Sequence, residues 1–159
     1  MNTSFDRSKG NDEWLTPPYI ITALGEFDLD PCAPINTPVC TAPNTYTVQD
    51  NGLIKEWKGR VFCNPPYGNQ TAKWLEKCST HKNCIALTFA RTETRMFFDY
   101  VWNKAYGLFF IKGRVSFYTI AGTKGGPAGA PSVLIAYDEY NSNILKNITN
   151  IIGKYIKLQ

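Results

Sequence analysis

Arg60-Val61-Phe62-Cys63-Asn64-Pro65-Pro66-Tyr67-Gly68, continued by Thr71-Ala72-Lys73-Trp74-Leu75-Glu76-Lys77-Cys78 and by Cys84-Ile85-Ala86-Leu87-Thr88-Phe89, decides the fold class of this chain. Residues 60–63 form a short apolar run of the buried-strand type, 71–78 reads as a helix, and 84–89 is a second apolar strand. That order is the crossover unit of a parallel sheet. Between the first strand and the helix, two consecutive prolines fix φ, remove two N–H donors and push the residue before each out of the helical region. The turn is therefore stiff. It leaves the carbonyls of Asn64 and Pro65, and the side-chain oxygen of Asn64, free to accept from a ligand. An NH₂ group with two hydrogens fits such acceptors, and Tyr67 adds a flat face on which a base can stack. The plain alternative is an ordinary proline-rich turn.

Outward from this unit the alternation continues. Residues 27–30 alternate apolar and acidic side chains until Pro31 stops the run, as in a strand that ends in a loop. Met96, Phe97, Tyr100 and Val101 share one helical face within 92–103, and 107–111 and 132–137 read as strands. The 119–130 stretch between those two strands, with glycines at 122, 125, 126 and 129, reads as a loop. Ile144, Ile148, Ile151, Ile152, Tyr155 and Ile156 predict a last helix. Residues 31–52 hold four prolines and many Thr and Asn, which leaves room for little beyond a short strand near 38–40. Thr16-Pro17-Pro18 opens a short helix ending near Gly25, with Thr16 as its cap. The expectation is an α/β fold, a mainly parallel sheet flanked by helices, in a single compact domain over 12–159 behind a flexible polar segment at 1–11. In such sheets ligands bind outside the carboxyl ends of the strands, so Asp30-Pro31 and Asn64-Pro65-Pro66-Tyr67 face one edge.

The bulk properties agree with one globular domain: 159 residues, 43% hydrophobic and 19% charged. No apolar run approaches the roughly 18 residues that span a bilayer, and residues 1–10 lack an apolar signal core, so a cytoplasmic protein without a membrane partner is expected. Five cysteines in no regular framework suit a reducing compartment. Cys78, His81 and Cys84 lie close together but lack a paired fourth ligand, and buried thiols beside a surface histidine, with no metal, are the expectation. A net charge of +4 is compatible with a polyanionic partner without deciding for one.

Asn64-Pro65-Pro66-Tyr67 matches the Asn/Asp/Ser-Pro-Pro-Tyr/Phe signature of amino-group methyltransferases that use S-adenosylmethionine. Four further segments resemble the compact phage-type, Dam-like DNA N6-adenine methyltransferases: Asp12-Glu13-Trp14-Leu15-Thr16-Pro17-Pro18, Phe27-Asp28-Leu29-Asp30-Pro31-Cys32-Ala33, Ala90-Arg91-Thr92-Glu93-Thr94-Arg95, and Lys112-Gly113-Arg114-Val115-Ser116-Phe117 with Ala130-Pro131-Ser132 beyond it. The resemblance covers the chain from about residue 12 to residue 137. It implies a Rossmann-like methyltransferase fold, S-adenosylmethionine as cofactor, and double-stranded DNA with the target adenine flipped out. It also implies a phage enzyme that modifies DNA against host restriction in the bacterial cytoplasm.

The same resemblance assigns residues. Asn64, Pro65, Pro66 and Tyr67 form the catalytic grip on the amine, with Asn64 also bordering the cofactor. Asp30-Pro31-Cys32 stands where the family meets the methionine part or ribose of the cofactor, and a carboxylate there can accept from the ammonium. The usual D/E-x-G-x-G glycines are absent, and Asp30-Pro31 taken alone reads equally as a turn starter. Trp14, Thr16 and Pro17 correspond to the segment that closes over the methionine end, with Trp14 also readable as a core residue. Asp50 is placed near the cofactor's adenine amino group, against a plain Asp-Asn-Gly turn. Arg91, Arg95, Lys112 and Arg114 follow strands on the motif-bearing edge, where they would meet DNA phosphates, and solubility is their other reading. The 119–130 stretch either orders on DNA or is a surface connection.

Only about 30 residues separate the cofactor and catalytic motifs, too few for a separate target-recognition domain, so a short or degenerate target is expected. The amine grip by itself also fits cytosine N4, adenine in RNA or a protein glutamine. A non-catalytic DNA-binding module with a decayed methyltransferase fold is the reading from another class, and the intact Asn64 and Tyr67 speak against it. Oligomeric state is left open.

Overall fold

The computed structural model describes residues 13–159; the expected flexible segment at 1–11, and Asp12 at the head of the first motif, lie outside the described residues. Helix α1 (Pro18–Leu24) precedes strands β1 (Leu29–Asp30), β2 (Asn44–Thr45) and β3 (Val61–Cys63). Helix α2 (Thr71–His81), strand β4 (Cys84–Phe89), the short helix α3 (Arg95–Phe97) with a π-helical turn at Phe98–Trp102, and strand β5 (Gly107–Ile111) follow. The chain ends with the β6 (Ser116–Tyr118) and β7 (Lys124–Pro127) hairpin, β8 (Ser132–Ala136), helix α4 (Glu139–Lys146) and β9 (Gly153–Lys157).

Among the described residues a seven-stranded sheet runs in the order β2-β1-β3-β4-β8-β5-β9. β2, β1, β3 and β4 pair in parallel, while β8 is antiparallel to both β4 and β5, so β5 points the same way as β4. β9 runs antiparallel to β5 at the edge. The sheet is thus mixed, with β1 to β5 co-directional and β8 and β9 reversed.

Its central strands are apolar on both sides because both faces are covered. Val61, Cys63, Cys84 and Ala86 point into one buried cluster with Trp74, Leu75 and Cys78 of α2 and Phe97 and Val101. Phe62, Ile85 and Leu87, one residue out of step, point into the other with Ile20 and Leu24 of α1 and Leu145 of α4. This is the period-two logic of a strand between two helical layers. In α2 the buried positions Thr71, Trp74, Leu75 and Cys78 repeat at helical spacing. Cys78 and Cys84 are buried thiols, as expected, while His81 is half-buried and bonds through Nε2 to the Gly59 carbonyl at 2.8 Å.

Several expectations need correction. The residue before α1 is Pro17, and no side chain caps that helix; the Thr16 hydroxyl is engaged elsewhere. No strand forms at 38–40, and the short strand of this region is β2. The helix expected over 92–103 is broken into α3, capped by Thr94, and the π-helical turn. The 119–130 loop is largely the β6–β7 hairpin with its turn. The isoleucine pattern from Ile144 onward is not one helix: α4 stops at Lys146 and residues 153–157 pair with β5 as β9. Gly153 is required there, since a Cβ would collide with the Phe109 ring and the Phe110 carbonyl.

Candidate active site

Because β1 to β5 share a direction, their carboxyl ends lie along one edge of the sheet. Pro31 follows β1, Asn64 follows β3, Arg91 follows β4 and Lys112 follows β5 at that edge. The Asn64-Pro65-Pro66-Tyr67 turn is tied to the start of α2 by one hydroxyl. Thr71 Oγ1 donates to the Pro66 carbonyl at 2.9 Å and accepts from the Gly68 N–H at 3.0 Å. Pro65 is buried and Pro66 exposed. No hydrogen bond from a described residue reaches the Asn64 or Pro65 carbonyl, which leaves both to accept.

The Asn64 side chain sits between two hydroxyls. Its Nδ2 donates to Thr16 Oγ1 at 3.0 Å, and its Oδ1 accepts from the Tyr67 hydroxyl at 3.2 Å. Burial holds the Tyr67 phenol well above its ordinary range, so it remains a neutral donor at physiological pH. The Tyr67 ring stacks on Phe89 with centroids 4.2 Å apart and planes at 15°, and meets Phe117 edge-on at 6.2 Å. One face of Tyr67 is therefore already used by the protein.

Asp30 lies at the end of β1, 6% exposed. One carboxylate oxygen accepts from the Cys32 N–H at 2.9 Å and the other from the Thr41 hydroxyl. Burial raises its pKa, and these two hydrogen bonds offset that only in part. Among the described residues no cation pairs with it. Cys32 Sγ lies 3.8 Å from Cys63 Sγ, and burial pushes both thiols well up, so they stay protonated and unreactive at neutral pH.

A narrow cleft of about 20 Å³ brings Trp14, Thr16, Asp30, Cys32 and Asn64 together. Residues from the loop after β1, among them Ala33, Thr37, Val39 and Thr41, form much of the rest of its walls. Three residues assigned to the same role lie outside these walls. Pro17 is buried beside α1. Pro31 is buried with its carbonyl against Gly52, where any Cβ would collide with it. Asp50 is exposed and accepts from the Thr47 N–H at 2.8 Å and the Thr47 hydroxyl at 3.1 Å, bonds that lower its pKa. That is turn geometry, two residues from the glycine that touches Pro31.

Arg91, Arg95, Lys112 and Arg114 are all exposed. The Arg91 guanidinium stands 6.0 Å from the centre of the Phe89 ring, the same ring that carries Tyr67. Arg95 pairs with Asp99 at 3.2 Å one helical turn on, and Arg114 Nη1 donates to the Ala128 carbonyl at 3.2 Å beside the hairpin.

Sequence reasoning missed the residues that support these groups. Phe89 and Phe117 flank Tyr67, yet Phe89 reads as a core strand residue and Phe117 only as the end of a motif segment. Thr41 holds Asp30 from inside a stretch with no pattern. Gly125 was read as part of a loop, but it is one of two adjacent glycines in β7, and a strand glycine marks a close approach. Here the approaching group is the Trp14 indole, whose Cζ3 would lie 2.7 Å from a Cβ.

Among the described residues no helix is long and apolar enough to cross a membrane. No curated protein and no solved structure matches the chain significantly. A family model described as DNA N-6-adenine-methyltransferase (Dam) matches residues 3–153. With nearly its whole length matched, this chain belongs to the DNA N-6-adenine-methyltransferase (Dam) family, enzymes that methylate adenine in DNA.

Proposed function

We propose that the enzyme binds S-adenosylmethionine in the cleft at the carboxyl end of β1 and methylates the N6 amine of an adenine flipped out of double-stranded DNA against Asn64 and Tyr67. The observation that carries this reading is the meeting of Asn64 and Asp30 in one cleft. Asp30 is a buried carboxylate without a cation among the described residues, and such a group favours a cationic ligand, whose arrival relieves its desolvation. That donor set suits the ammonium end of the cofactor, with the Trp14 indole and Thr16 lining the same cleft. The cleft is far narrower than the roughly 300–1,000 Å³ of small-molecule sites, so the walls formed by 14–16 and 33–41 must part for binding.

S-adenosylmethionine supplies an electrophilic methyl group with a good leaving group already attached. The remaining work is positional. The Asn64 side-chain oxygen and the Pro65 carbonyl would accept the two hydrogens of the adenine amine and draw its lone pair out of conjugation with the ring. The rigid proline pair keeps these acceptors from relaxing. Tyr67, backed by Phe89, gives the extruded base a platform. No general base is needed, because the methylated amine is acidic and sheds its proton readily, with Asn64 as acceptor and relay.

Arg91, Arg95, Lys112 and Arg114 would contact phosphates along the same edge. Five co-directional strands between helical layers support a Rossmann-like methyltransferase fold. The resemblance to phage-type enzymes supports a role in modifying phage DNA against restriction in the host cytoplasm. Incubation with methyl-labelled donor and duplex DNA, followed by nucleoside analysis, tests the reading. N6-methyladenine is the expected product, and label in N4-methylcytosine alone, or in no nucleoside, contradicts it.

A further inference from the structure

We propose that Thr16 is a positioning residue that fixes the side-chain amide of Asn64, and that the β6–β7 hairpin holds Thr16 in place. This deepens the reading above and rests on it. An amide offers oxygen on one side and NH₂ on the other, and only the oxygen can accept from a target amine. Two hydroxyls bias which way it turns. Tyr67 donates to Oδ1 and Thr16 accepts from Nδ2, at 3.2 and 3.0 Å. A phenol is the stronger donor and an aliphatic hydroxyl the better acceptor, so each partner is in its stronger role and the opposite flip is disfavoured. One lone pair of Oδ1 remains for the amine.

Thr16 is free for this contact because it does not cap α1. It sits on a segment clamped from outside. The Leu15 N–H donates to the Tyr118 carbonyl at 2.8 Å, and the Tyr118 N–H donates back to Leu15 at 3.1 Å. One residue earlier, the Trp14 indole lies against Gly125 of β7, where no side chain fits. The same hairpin presents Phe117 to the Tyr67 ring. The hairpin thus holds the two residues before Thr16 and touches the ring of Tyr67, which stacks mainly on Phe89, and Arg114 joins its base to Ala128.

The tests are Thr16→Val, nearly isosteric but without the hydroxyl, Thr16→Ser, which keeps it, and Gly125→Ala, whose Cβ would crowd the Trp14 indole and the Phe117 carbonyl and so loosen the clamp on residues 14–16. Single-turnover methylation with saturating donor and DNA should slow about tenfold in Thr16→Val and return to within about threefold in Thr16→Ser, the scale of one lost hydrogen bond. Thr16 also lines the donor cleft, so donor binding in Thr16→Val should weaken by less than the rate at saturating donor falls, while the DNA dissociation constant should stay within about threefold. Gly125→Ala should reproduce the slow step, and the double variant Thr16→Val/Gly125→Ala should be no slower than the worse single, because both act on one contact.

A Thr16→Val enzyme with unchanged rate, or one whose whole defect is weaker donor binding, overturns the proposal. So does additivity of the two substitutions. The side-chain amide proton pair of Asn64, identified by its loss in Asn64→Ala, gives a readout independent of turnover: it should shift in Thr16→Val and stay in place in Thr16→Ser. If the wild-type enzyme made no N6-methyladenine, the functional reading would fall, while an unmoved amide pair in Thr16→Val would separately overturn the positioning role.

Discussion

Asp30 is a side chain whose burial works against the fold, as expected of a residue kept for the proposed donor binding. It is buried, satisfied by only a backbone N–H and a hydroxyl, and its pKa is raised by that burial. The folded protein therefore binds this proton more tightly than the unfolded chain does. Between the unfolded value near 3.9 and the higher folded value, stability falls as pH rises, and above the folded value the full penalty is present. Asp30→Asn should accordingly raise the melting temperature of the ligand-free protein at neutral pH, with the gain vanishing in acid. The same change should weaken donor binding at neutral pH and remove its loss on acidification, because a proton and a cationic donor compete for the carboxylate. Calorimetry of unfolding and of donor binding across acid to neutral pH checks both signs. Of the residues in the cleft, Trp14, Thr16, Asp30, Cys32 and Asn64 were legible in the sequence through motif resemblance. Thr41 was not, since its contact with Asp30 depends on how an irregular loop returns over β1.

At the scale of elements, the strands with both faces covered were the easiest to read. β4 and β5 appear with the bounds that their apolar runs suggest, because sealing between two helical layers demands continuous hydrophobicity. The end of the chain misled for a physical reason. Ile144, Ile148, Ile151, Ile152, Tyr155 and Ile156 have helical spacing, yet Leu145 and Ile151 go to the core while Ile152 and Ile156 are exposed. Five registered pairs with β5 outweigh the local pattern and make residues 153–157 a strand. The hairpin was hidden by its glycines, which look like a loop but allow Trp14 to approach. Helix α4 is short and depends on its start. Asp138 accepts from the Asn141 N–H at 2.7 Å and from the Asn141 side chain at 2.9 Å, and Asn141 in turn accepts from the buried Arg60 at 2.8 Å. Asp138→Ala should cost about 1–2 kcal/mol, read as a lower denaturant midpoint at unchanged slope.

Across the whole molecule, topology gathers the chemistry: five strands share a direction, so segments far apart in sequence end on one edge. Four exposed cationic residues follow β4 and β5 there, and DNA affinity should fall with salt accordingly. Arg91→Ala should reduce the slope of log affinity against log salt by about 0.9 if that residue covers one phosphate, measured by titration of a labelled duplex. In the proposed reaction Asn64 grips the target amine through its side-chain oxygen. Single-turnover formation of N6-methyladenine by Asn64→Ala and Asn64→Asp enzymes tests it most directly, with donor binding measured alongside. Asn64→Ala should bind donor yet lose at least about 100-fold in rate, the scale of a lost transition-state acceptor, while Asn64→Asp, which keeps an acceptor oxygen, should retain part of it. An Asn64→Ala enzyme that methylates adenine at close to the wild-type rate would contradict it.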